Sequence, residues 1–141
     1  MSILAILVLL AVAWSVLAFG QLPNPFRTRS CQGRQWRRAF PRATKKQIRE
    51  FLSVFNSAFA FGNADILKFR PDDQLLSIYR ALYPSKWMAD AMEFETLAHD
   101  LRAKFGVALD DIWDERMTLG GLFAYIQQAG VRSDIQTRAQ P

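Results

Sequence analysis

Residues 90–126 read DAMEFETLAHDLRAKFGVALDDIWDERMTLGGLFAYI, and the fold follows from their pattern. Asp90 stands where a helix N-cap belongs, and Glu93, three residues on, completes an acidic version of the capping box. Met92, Phe94, Leu97, Ala98, Leu101 and Phe105 then recur at helical spacing and mark one apolar face. Gly106 supplies the left-handed stop. A short turn from Asp110 to Asp114 carries Ile112 and Trp113. Thr118 caps a second helix, whose apolar positions are Leu119, Leu122, Phe123, Tyr125 and Ile126.

Upstream the same signals repeat. Pro71-Asp72-Asp73 opens a stretch in which Leu75, Leu76, Ile78, Tyr79 and Leu82 form a stripe that Pro84 ends. Before it, Thr44-Lys45-Lys46-Gln47 fits a capping box, followed by Ile48, Phe51, Leu52, Phe55, Ala58 and Phe59 on one face and a stop at Gly62-Asn63. No run alternates in the strand manner, so residues 44–130 read as an all-α bundle. Residues 131–141 have no periodic face and are expected to form a flexible tail.

Asp90-Ala91-Met92-Glu93, Leu97, Leu101, Lys104-Phe105-Gly106-Val107, Leu109-Asp110-Asp111, Met117-Thr118-Leu119 and Tyr125-Ile126 together resemble the second half of an acyl carrier protein. That family begins this helix with Asp-Ser-Leu, and its serine oxygen carries a phosphopantetheine arm. The resemblance is best over residues 90–126 and sets Ala91 at the serine position, where no esterifiable atom exists. It implies a carrier-like bundle without a prosthetic group and therefore without a cofactor. Family partners grip an acidic helix; here Glu93 and Glu95, with the large apolar Trp87 and Met88 just before the helix, are the candidate partner contacts.

The N-terminus differs in kind. Seventeen residues from Ile3 to Phe19 contain Ser15 as their only polar side chain, and residues 1–22 are expected to form a transmembrane helix stopped by Pro23 and Pro25. A cleaved signal peptide would want a basic start, and a small domain rarely surrounds so long an apolar helix. Residues 1–49 hold nine basic groups and no acid, whereas the remainder holds nine basic groups and all 13 acids. All early basic charge follows the apolar segment, which implies an N-terminus outside the cell and a cytoplasmic body at the inner membrane. The basic neck, 23–43, would then lie on the bilayer through Arg27, Arg29, Arg34, Trp36, Arg37, Arg38 and Arg42. Such a bilayer accounts for the charge better than nucleic acid does, since no recognition fold accompanies it. Cys31 would be a juxtamembrane thiol, the usual kind of palmitoylation target, although an unmodified thiol is the simpler reading.

The exclusions are firmer. One cysteine and one histidine in 141 residues rule out an internal disulfide, Cys-based zinc sites and His-rich metal sites. His99 has no second ligand or nucleophile near it in sequence and reads as a helix surface residue. The expectation is a non-enzyme: a membrane-anchored accessory or assembly subunit docking onto an integral membrane protein complex. The alternative is an acyl carrier or lipid-handling protein.

Overall fold

Leu22 is almost wholly enclosed, at 1% exposure, in one core that also takes Phe26 and Trp36, so that core begins well upstream of the Thr44 capping box. The computed structural model describes residues 2–18, 22–83 and 91–140. Among the described residues seven α-helices follow one another: α1 (Ile3–Ala18), α2 (Gly33–Ala39), α3 (Lys45–Ala58), α4 (Leu75–Leu82), α5 (Met92–Phe105), α6 (Leu109–Ile112) and α7 (Leu119–Arg138). Short 3-10 turns occupy Phe26–Thr28 and Asn63–Lys68. Among the described residues there is no strand, only an isolated bridge between Gln74 and Thr118.

The α3 helix starts on its capping box. The Gln47 amide donates to Thr44 Oγ1 at 3.1 Å and the Thr44 amide donates to Gln47 Oε1 at 2.9 Å. Ile48, Phe51, Leu52 and Phe55 are buried, as their spacing implies, and α3 packs against α5, whose Leu97 and Leu101 are buried in the same core. The helix stops earlier than Gly62-Asn63. The Phe61 amide reaches the Asn56 carbonyl at 2.8 Å and the Ala60 amide reaches the Ser57 carbonyl at 3.2 Å, a Schellman arrangement with Ala60 at φ 56°. Alanine is strained in this left-handed position. Ala60→Gly is therefore expected to raise stability by roughly 0.5–1 kcal/mol, read as a higher urea midpoint at constant m-value.

Thr118 caps α7 by accepting from the Gly121 amide at 3.0 Å. Leu119, Leu122, Phe123 and Ile126 are buried, whereas Tyr125, expected on the same face, is half exposed. The expected flexible tail is helical: α7 continues through Gly130 to Arg138, with every side chain beyond Gly130 exposed. Ser133 Oγ and Thr137 Oγ1 donate back to the Ala129 and Ser133 carbonyls four residues earlier.

The entrance to α7 is tied to the entrance of α4. The Leu75 amide donates to the Met117 carbonyl at 3.0 Å, the Leu119 amide to the Asp73 carbonyl at 2.9 Å, and the Gly120 amide to the Pro71 carbonyl at 2.7 Å. Asp73 holds this loop with its side chain, since Oδ2 accepts from the Arg70 amide at 2.7 Å and from Arg29 Nη1 at 2.6 Å.

The expected membrane anchor is overturned. No helix among the described residues is long and apolar enough to cross a membrane. The α1 helix has 16 residues, about 24 Å at 1.5 Å each, against a hydrocarbon thickness of about 30 Å. Leu22, needed to lengthen the span, lies in the core instead. The single-pass placement, with its outward N-terminus and cytoplasmic body, falls with the anchor.

The neck is corrected as well. Phe26 and Trp36 are buried, and Phe40 packs on the core, stacked on Trp36 at 5.9 Å and edge-on to Phe123 at 4.8 Å. Trp36 Nε1 donates to the Phe69 carbonyl at 2.8 Å, and the Gln32 amide to the Leu67 carbonyl at 2.6 Å. Segment 22–40 is thus part of the bundle.

Candidate functional site

Where the carrier resemblance would put an attachment serine, Ala91 holds the entrance to α5. It takes the N-cap position in place of Asp90, which lies outside the described residues, and adopts the left-handed region at φ 61° with no side-chain cap. Its amide donates instead to Tyr79 Oη at 3.0 Å. A methyl-bearing residue is strained at this φ, and the tyrosine bond is what fastens it there.

Aromatic rings line the approach. Tyr79 of α4 and Tyr83, just past its end, lie 5.2 Å apart between centroids, Tyr79 and Phe94 4.8 Å, and Phe94 and Trp113 5.0 Å. This chain of rings crosses from α4 over α5 to the end of α6. Beside it a groove of about 510 Å³ is lined by Ala91, Phe94, Ala98, Leu109 and Trp113, with Glu95 and Asp110 on its walls. The small side chains Ala91 and Ala98 leave the space open. Met92, expected on the buried face, is 60% exposed, and Trp113 is 39% exposed.

Of the candidate partner contacts, Glu95 is exposed and borders the groove. Glu93 turns inward: its Oε1 accepts a short hydrogen bond from Tyr83 Oη, and its buried Oε2 has no hydrogen-bond partner among the described residues. Trp87 and Met88 lie outside the described residues. Among the described residues the groove lining offers no hydroxyl, thiol or imidazole, and the arrangement can enclose an apolar group beside two carboxylates.

The arginines expected at a membrane surface divide in two. Arg29 is largely enclosed, paired with Asp73 and lying over the Phe26 ring at 4.6 Å, and Arg27 Nε donates to the Leu22 carbonyl. Arg34, Arg37, Arg38 and Arg42 are exposed. Arg34 and Arg37 converge with Lys45 and Arg49 on a smaller groove between α2 and α3, a grouping missed in the sequence although the i,i+3 and i,i+4 spacings carry it. Cys31 is exposed, and His99 is exposed with Nδ1 3.2 Å from Asp100 Oδ1. Among the described residues no three His, Cys, Asp or Glu side chains come together as a metal site.

No protein-family model matches the chain, and neither the curated proteins nor the solved structures contain a significant match.

Proposed function

We propose that the protein is a non-catalytic accessory or assembly subunit whose helical bundle docks onto a partner protein complex through the α5–α6 face. The observation that carries this reading is the groove beside Ala91: an open, mostly apolar cleft with Trp113 partly exposed in its lining and no side-chain oxygen on Ala91. A partly exposed aromatic side chain in a cleft is a common binding anchor. Glu95 and Asp110 suit a partner segment that offers an apolar side chain beside a basic one. The carrier resemblance over residues 90–126 supports the same face, since carrier proteins engage their partners through this helix.

A second reading, an acyl carrier or lipid-handling protein, draws on the same groove, whose apolar lining would suit a hydrocarbon chain. Gentle purification of the full chain, followed by intact mass and stoichiometry, separates the two. The docking reading expects one stoichiometric protein partner and an unmodified polypeptide. Trp113→Ser should weaken capture by at least about tenfold, the loss of one binding anchor, while the chain still unfolds in one cooperative transition whose midpoint is lowered by the lost contact with Phe94. A chain that stays monomeric, or one carrying a phosphopantetheine or acyl adduct, overturns the docking reading.

A further inference from the structure

We infer that the groove between α2 and α3 is a binding site for a multiply charged oxyanion of the phosphate class. Four cations face it, Arg34 and Arg37 from one helix and Lys45 and Arg49 from the other, and no carboxylate lines it. All four side chains are exposed, and the groove encloses about 230 Å³ over an apolar floor of Ile48 and Leu67. That volume suits one charged head with a small attached group.

Three carboxylates of the adjoining segments are paired elsewhere. Glu50 pairs with Lys104 at 3.3 Å, Asp65 with Lys68 at 3.1 Å, and Asp73 with Arg29 at 2.6 Å. Residues 1–49 contain no acid, so nothing within this segment neutralises the cluster. Like charges gathered on one small surface repel one another, and an anion held among them relieves that repulsion. Guanidinium forks match tetrahedral oxyanions in two-point contacts, and a lysine adds a mobile point charge.

Nucleic acid fits the same surface less well. Binding of single strands relies on exposed rings for stacking, and the rings of this region, Trp36 and Phe40, are turned into the core. The shared ligand chemistry is therefore a phosphate group, supplied either by a free phosphorylated molecule or by a lipid headgroup.

The test titrates the full chain with inorganic pyrophosphate by calorimetry at low salt. It also floats the chain with phosphatidylcholine vesicles, plain or containing a phosphoinositide. One-to-one pyrophosphate binding is expected, lost by at least about tenfold in Arg37→Gln/Arg49→Gln and changed less than about twofold in the control Arg102→Gln/Arg132→Gln. The groove variant should melt at the same temperature as the parent or higher, because it removes repulsion, whereas a merely structural role would lower its midpoint. Preference for the phosphoinositide vesicles, competed by pyrophosphate, would identify a headgroup as the source; pyrophosphate binding without it would identify a free phosphate. Absence of pyrophosphate binding, equal loss in both variants, or a tightly bound oligonucleotide that pyrophosphate fails to displace would each overturn the inference.

Discussion

Trp36→Ala is expected to lose about 4 kcal/mol of folding stability, a large share of the roughly 5–15 kcal/mol that holds a domain together. Its indole is wholly buried between Phe40, Phe51 and Phe123, so truncation leaves a cavity at the centre of the aromatic cluster. It also strands the Phe69 carbonyl, which accepts from the indole nitrogen. Trp36→Phe keeps most of the packing and loses the hydrogen bond, and should cost about 1–2 kcal/mol. Urea denaturation of the full chain reads both. A Trp36→Ala midpoint within about 0.5 kcal/mol of the parent, the usual value for a surface substitution, would show that segment 22–40 is not part of the bundle.

Gly120→Ala is the second large effect, and here the direction is opposite to helix propensity. Alanine within a helix ordinarily gains about 1 kcal/mol over glycine. At position 120 a Cβ would lie 2.8 Å from the Pro71 carbonyl oxygen and 3.0 Å from Pro71 Cβ. Neither atom can retreat cheaply, because the Gly120 amide bonds that same carbonyl and Asp73 fastens the loop through Arg29 and the Arg70 amide. A net loss of about 2 kcal/mol is expected. Gly130→Ala, in the same helix with nothing within 4 Å of the new methyl, should instead gain close to 1 kcal/mol. The paired midpoints decide the matter, since a gain at both positions would remove the close approach of α7 to Pro71.

The contrast between these two glycines marks what was legible. Local signals with a mechanism translated directly: the Thr44–Gln47 box, the Thr118 cap, the left-handed Gly106 and the apolar faces of α3 and α7. The N-terminal third did not translate. A basic segment punctuated by aromatic rings has the same composition whether its rings lie on a bilayer or fill a core. What decides is contact with Phe51, Phe69 and Phe123, which lie 15–87 residues further on and leave no periodic trace near Trp36. The apolar count from Ile3 onward likewise could not show that Leu22 is consumed by the bundle. At the candidate site, that Ala91 carries no side-chain oxygen was readable from one letter. The groove beside it was not, because it depends on how α6 brings Trp113 against Phe94.

The stitching of residues 32–36 onto residues 67–69 carries a dynamic consequence. Two amide-type donors, the Gln32 backbone and the Trp36 indole, end on carbonyls of one short stretch, so neither is released until that stretch lets go. Deuterium should therefore enter both protons at matching rates, slowly and in step with the buried turns of α3, as one opening unit. The outer turns of α7 past Gly130, whose side chains are all exposed, should exchange long before it.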